Sequence, residues 1–178
     1  MTRFTVNTIN LQWQEATLPY ADRLRTILES WKDTPYMVCQ QEKGVGVDCV
    51  RFVAAVWDEM RATPGEQIPR LSRDASLNNP RKTTEFMRML LDRYAPIEEL
   101  TNKQYVVEPG DVLVVRAKGG GPGHVILVGP DRNTTWQAGS RKVIRSGWTL
   151  LDRFQILSHW FRYGDRSKWL TQQPSQSS

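Results

Sequence analysis

Residues 49–60 constrain the fold more than any other segment of the chain. Their apolar side chains recur at helical intervals, namely Cys49, Phe52, Val53, Val56, Trp57 and Met60. This spacing puts them on one face of an α-helix, and Asp48 directly before them is a residue type that caps helix N-termini. The preceding segment 40–47 (QQEKGVGV) has no period and predicts a loop. The sequence therefore predicts an amphipathic helix whose apolar face the rest of the chain must cover.

The remaining patterns predict helices first and strands afterwards. Helical spacing of apolar residues recurs over 20–32 and 83–94, and Pro35 ends the first of these helices. Residues 1–19 are interpreted as an irregular or weakly extended arm. Strands are predicted at 112–117, 124–128 and 134–138, and further short strands at 142–146, 153–157 and 159–163. This order favours the α+β class over a parallel α/β sheet.

Length and hydropathy predict one domain. The 178 residues fit a single domain over 1–170, with an insertion at 62–82 and a polar, disordered tail at 171–178. No apolar run approaches the ~20 residues of a membrane span. The N-terminus lacks the apolar stretch of a Sec-type signal peptide. We therefore expect synthesis in the cytoplasm and delivery to the site of action by another route.

The distribution of basic residues along the chain argues against nucleic acid as a partner. The formal net charge is +5 and the sequence pI is about 9.4, which permits attraction to a polyanion. The basic residues are dispersed, however, and no run reaches five. No nucleic-acid motif accompanies them, so a mixed-charge, solvated surface is the interpretation.

Three residues are candidates for chemistry. Cys49 stands in the first turn of the predicted helix, where the helix dipole favours a thiolate; its alternative role is a small core residue. His124 opens a strand after a glycine-rich loop and is a candidate base for a thiol nucleophile; its alternative is a structural histidine. The amide oxygen of Gln137 could orient an imidazole; its alternative is a half-exposed strand residue.

The chain has one other cysteine, Cys39. Two cysteines are too few for a disulfide framework or for a cysteine-based zinc site. Free thiols are expected, with a Cys39–Cys49 bridge left open.

Taken together, five motifs occur in the order found in a known family. They are residues 31–36 (WKDTPY), 44–53 (GVGVDCVRFV), 110–113 (GDVL), 123–128 (GHVILV) and 136–138 (WQA). The chain resembles the NlpC-type cysteine peptidases, papain-like enzymes of bacteria and phages that cut peptide stems of the cell wall. The resemblance covers about residues 31–140 and implies a papain-like fold of the NlpC type, with the helix at 49–60 packed on an antiparallel β-sheet. The chain departs from the family at Asp33, where glycine is usual, and at Gln137, where histidine is frequent.

The resemblance implies a role for each site residue. Cys49 would attack a peptide carbonyl, His124 would pair with the thiol and protonate the leaving amine, and Gln137 would orient His124. The backbone N–H of Cys49, with Tyr36 beside it, would stabilise the oxyanion, and Asp48 would cap the helix and shape the pocket. The implied chemistry needs no metal and no cofactor, and Cys39 would be a bystander.

The resemblance also implies a setting. Its partners would be the peptide stem of peptidoglycan and proteins of a phage tail, with delivery to the wall in a virion or by lysis. Three alternatives stay open: a secretion-system effector amidase, an acyl transferase or deamidase on the same scaffold, and a non-catalytic tail-assembly protein.

Overall fold

The computed structural model describes residues 2–6, 9–61, 97–99, 104–118 and 123–160. This part of the chain contains two α-helices and eleven β-strands. The helices are α1 (Leu18–Trp31) and α2 (Cys49–Arg61). The strands are β1 (Thr2–Val6), β2 (Ile9–Trp13), β3 (Gln41–Glu42), β4 (Gly46–Val47), β5 (Ile97–Glu99), β6 (Gln104–Val107), β7 (Val112–Ala117), β8 (Gly123–Val128), β9 (Thr134–Ala138), β10 (Val143–Gly147) and β11 (Phe154–Trp160). A 3₁₀ turn at Trp148–Arg153 joins β10 to β11.

The main sheet has six strands in the order β10-β9-β8-β7-β11-β5, and every pairing in it is antiparallel. The strands β7, β8, β9 and β10 are neighbours in the sheet in the same order as in the chain. β11 returns to the other side of β7, and its register shifts between Ile156 and Ser158, which marks a β-bulge.

Helix α2 packs on one face of this sheet, against β8 and β9, and α1 packs against α2. The helix predicted over 49–60 is therefore confirmed. It is buried on nearly all sides from Cys49 to Asp58, and not only on its apolar face. Phe52 has no exposed surface and meets the Trp31 ring edge-on, at 6.1 Å between centroids. This arrangement confirms the α+β class, with the Cys49 helix on an antiparallel sheet.

The opposite face of the sheet has its own apolar layer. Trp13, Trp148 and Leu151 cover side chains of β7 and β8 there. Apolar side chains thus alternate to both faces along β7: Val112 and Val114 face α2, while Leu113 and Val115 face the second layer. Burial on both faces explains why β7 and β8 are nearly continuous apolar runs.

The N-terminal segment is more ordered than predicted. The expectation of an irregular or weakly extended arm over 1–19 is wrong, because β1 and β2 form an antiparallel hairpin and β2 pairs in parallel with β6. The pairing partner lies about ninety residues away in sequence, so no local pattern could indicate it. Helix α1 confirms the predicted helix and begins at Leu18, with Pro19 in its first turn.

The remaining strand predictions are confirmed with small changes of boundary. The predicted strands at 153–157 and 159–163 are one strand, β11, within the described residues. The predicted loop at 40–47 contains the two short strands β3 and β4. The predicted insertion at 62–82, the helix at 83–94 and the tail at 171–178 lie outside the described residues. No helix in the described ranges is long and apolar enough to cross a membrane.

Candidate active site

Cys49 begins α2 and lies against the start of β8. It is 6% exposed, and Asp48 caps the helix by accepting the Arg51 N–H on Oδ1 at 2.9 Å. Three backbone N–H groups favour the thiolate form of its sulfur, those of Val125, Val50 and Cys49 itself. The Val125 N–H belongs to the residue that follows His124. The fold therefore places the sulfur beside the strand backbone that carries the candidate base.

His124 and Gln137 are in direct contact. His124 Nε2 lies 2.6 Å from Gln137 Oε1. Since an amide oxygen only accepts hydrogen bonds, His124 donates through Nε2–H, and Nδ1 is left with the lone pair. The ring also stacks on Phe154, at 6.1 Å between centroids and 29° between planes. The imidazole is thus held in one orientation and one tautomer.

The strand register makes room for this contact. β8 and β9 pair only at Leu127 with Trp136 and at Val128 with Thr135. The pairing thus involves only the last two residues of β8. Within the described part of the sheet, the two strands are not paired next to His124, near the start of β8. Side chains can meet where the backbones no longer hydrogen-bond, and the His124–Gln137 bond occupies that position.

Tyr36 is brought to the site by a short strap, defined as residues 33–37. On one side of the strap, Tyr36 N–H donates to Arg141 O at 2.8 Å; on the other, Val47 N–H donates to Pro35 O at 2.9 Å. Tyr36 packs against the core cluster that contains Cys49. Burial, and then the electrostatic interaction with Cys49, raise the pKa of Tyr36 to about 12. The phenol therefore stays protonated and can donate a hydrogen bond.

The strap also explains a departure from the family pattern. Asp33 has a φ of +63°, in the left-handed region that glycine adopts most easily and that aspartate tolerates better than most residues. Its carboxylate accepts a hydrogen bond from Lys142 Nζ at 2.5 Å, and this neighbour lowers the pKa of Asp33. Asp33 thus occupies the turn that glycine would otherwise make.

Asp48 lies inside the protein rather than in an open pocket. Its side chain has no exposed surface. Besides capping α2 it accepts the Cys39 N–H on Oδ2 at 2.9 Å and an Arg51 Nη1 hydrogen bond at 2.6 Å. Asp48 therefore joins the Cys39 turn to the start of α2. Cys39 is partly buried, has a φ of +62°, and is not joined to Cys49 by a disulfide.

The ionisation states of the pair favour neutral forms. Burial raises the pKa of Cys49 to about 12, and the Asp48 carboxylate adds to that shift. Burial lowers the pKa of His124 below its ordinary value, against the opposing effect of the Gln137 hydrogen bond. Both pKa shifts favour the neutral thiol and the neutral imidazole over the thiolate pair that the resemblance implies.

Two residues of the site were missed by sequence reasoning. Phe154 stacks on His124 across the sheet, and nothing local in the sequence indicates that contact. Arg51 is fully buried beside Asp48. The sequence signal for this pair was the position of Arg51 three residues after Asp48, within the otherwise apolar run 49–57. Among the described residues, no group of three or more histidine, cysteine or acidic side chains is placed to hold a metal ion.

No protein-family model and no curated protein matches the chain. Among solved structures it is similar to a lipoprotein-like protein of the NLP/P60 family from Staphylococcus aureus, with 14% identity and a TM-score of 0.48. The similarity covers 84% of this chain and 43% of that chain, so the chain spans less than half of that protein's length.

Proposed function

We propose that this protein is a cysteine peptidase of the NlpC type that hydrolyses amide bonds in the peptide stems of peptidoglycan. The observation that carries the proposal is the 2.6 Å bond between His124 Nε2 and Gln137 Oε1, on the strand whose backbone contacts Cys49. A nucleophile, a base and a residue that orients the base are the minimum of a catalytic triad. The substrate class is what the resemblance of the five motifs to NlpC-type peptidases implies.

The reaction proceeds in two halves. Cys49 Sγ attacks the carbonyl carbon while its proton passes to His124 Nδ1, and a tetrahedral intermediate forms. The C–N bond then breaks, His124 gives the proton to the leaving amine, and a thioester remains on Cys49. Water attacks the thioester with His124 again as base. The acid product leaves, and Cys49 recovers its proton.

The intermediate needs donors for its negative oxygen. The backbone N–H of Cys49 belongs to the first turn of α2, where N–H groups have no partner within the helix. The Tyr36 hydroxyl, protonated up to about pH 12, is the second donor. Fixed donors aimed at a developing charge are worth about 10²–10³ in rate each.

The test is digestion of defined muropeptides, with the products read by mass spectrometry. We expect the wild-type protein to split one stem amide with the addition of one water. Cys49→Ala is expected to yield no product. Cys39→Ala is the matched control, because it removes the other thiol of the chain and leaves the triad intact.

The product mass also separates the alternatives. An acceptor joined to the acyl fragment instead of water would indicate a transferase. Cleavage by Cys49→Ala at the wild-type rate would exclude the proposed nucleophile. If the muropeptides stay intact but simple amides or esters are hydrolysed in a reaction that depends on Cys49, the proposed chemistry is supported and the proposed substrate class is rejected. The absence of both activities would favour a non-catalytic protein.

A further inference from the structure

Arg51 is a charged residue inside the helix that carries Cys49, two positions after it. Neither Arg51 nor Asp48 exposes any side-chain surface. Arg51 donates to both Asp48 oxygens, through its backbone N–H to Oδ1 at 2.9 Å and through Nη1 to Oδ2 at 2.6 Å. A buried charge of either sign is costly unless it is paired. The two residues therefore form one neutral unit at the start of α2.

This unit lies next to the sulfur that would become negative during attack. The Asp48 carboxylate directly precedes Cys49, and it raises the pKa of the Cys49 thiol. Between buried charges the repulsion is weakly screened. Without a counter-charge, the carboxylate would oppose both the thiolate and the oxyanion. The Arg51 guanidinium, 2.6 Å from Oδ2, is that counter-charge.

We propose that Arg51 is a positioning residue of the candidate site: it neutralises Asp48 and fixes the carboxylate, whose Oδ2 also accepts the Cys39 N–H. The proposal rests on the proposed role of Cys49. Among the described ionisable groups, Tyr36 interacts electrostatically with Cys49, Asp48 and Cys39, and His124 directly precedes Val125, whose N–H contacts the sulfur. Tyr36, Cys39 and His124 are left unchanged by the test.

The test measures the charge near Cys49 with two alkylating agents of similar size, neutral iodoacetamide and anionic iodoacetate. Alkylation at Cys49 is quantified by mass spectrometry separately from Cys39. For Arg51→Met we expect the ratio of the iodoacetate rate to the iodoacetamide rate to fall about fivefold, because the uncovered carboxylate repels the anion. A merely looser structure would change both rates together and leave the ratio unchanged.

Three further variants fix the interpretation. Arg51→Lys keeps the charge and should keep the wild-type ratio. Asp48→Asn removes the negative charge next to Cys49 and keeps the guanidinium, so it should raise the ratio, which gives a result even if Arg51→Met does not fold. The double variant Asp48→Asn with Arg51→Met removes both charges and should return the ratio to within about twofold of wild type.

An unchanged ratio in folded Arg51→Met would overturn the proposal, as would an unchanged ratio in Asp48→Asn. A double variant with the same low ratio as Arg51→Met would also overturn it. The reagents require no peptide hydrolysis. A protein that fails on muropeptides can therefore still give the expected ratios, and an active peptidase can fail to give them.

Discussion

His124 Nε2 lies 2.6 Å from Gln137 Oε1, and this bond determines which imidazole nitrogen can act as a base. The two residues stand on adjacent antiparallel strands, 13 positions apart, just beyond the last paired residues of β8 and β9. Because the amide oxygen can only accept, the proton stays on Nε2 and the lone pair on Nδ1. The amide thus fixes the tautomer and orientation of His124, as the buried carboxylate of serine hydrolases does for its histidine, but without the negative charge.

Gln137→Ala should lower kcat for peptide hydrolysis by about 10- to 100-fold, because the imidazole loses its fixed tautomer. Gln137→Glu keeps an acceptor but adds a negative charge that stabilises the imidazolium. It should therefore move the acid limb of the pH–rate profile to higher pH. The matched control is Gln155→Ala, an exposed glutamine on β11 whose loss should leave kcat unchanged. Equal effects at Gln137 and Gln155 would contradict the triad.

The acid limb of activity should lie below pH 6.5. Burial lowers the pKa of His124 from its ordinary value of 6.5, so the neutral base persists at a more acidic pH than a free imidazole would. The measurement is kcat/KM for the wild-type protein between pH 4.5 and pH 8. A limb with its midpoint above pH 6.5 would mean that His124 is not the buried base described here.

The same shift predicts a pH dependence of stability. The folded-state pKa of His124 lies below the unfolded value of 6.5, so below that pH the unfolded chain binds more protons. The free energy of unfolding should therefore fall as the pH drops from 6.5 through the folded-state pKa. Urea titrations at several pH values, for wild type and His124→Asn, give the comparison. Parallel curves would exclude a contribution from His124.

Tyr36→Phe should reduce kcat by about 100- to 1,000-fold, because the hydroxyl is a proposed donor to the oxyanion. The pKa of about 12 means that wild-type Tyr36 donates across the whole working pH range. The free energy of unfolding should change by about 1 kcal/mol or less, since only one hydroxyl is removed. A normal kcat would leave the helix N–H groups of α2 as the donors.

Phe52→Ala should destabilise the fold by about 3–5 kcal/mol, because it empties a fully buried site between α2 and the Trp31 ring. Val45→Ala is the matched control, since that valine is 53% exposed and its loss should cost at most about 0.5 kcal/mol. Chemical denaturation at pH 7 measures both. Similar losses at the two positions would mean that the α1–α2 contact is not a main source of stability.

The local elements could be predicted because their signals are local. The helix at 49–60 follows from apolar spacing and Asp48, and the strands at 112–117 and 134–138 have the predicted bounds. The β1–β2–β6 sheet could not be predicted, because its parallel pairing joins segments distant in the chain. The β3–β4 pair was missed for another reason, since two-residue strands have no period to detect.

The sequence by itself determined the helix that presents Cys49 and the residue types available for chemistry, since spacing and side-chain identity belong to the chain. Only the tertiary structure decided the contact of His124 with Gln137, the stacking on Phe154 and the burial of Arg51 with Asp48. Strand register and burial arise when distant segments pack together, and these two properties set which nitrogen carries a proton and which charges are neutralised. Local sequence patterns specify neither of them.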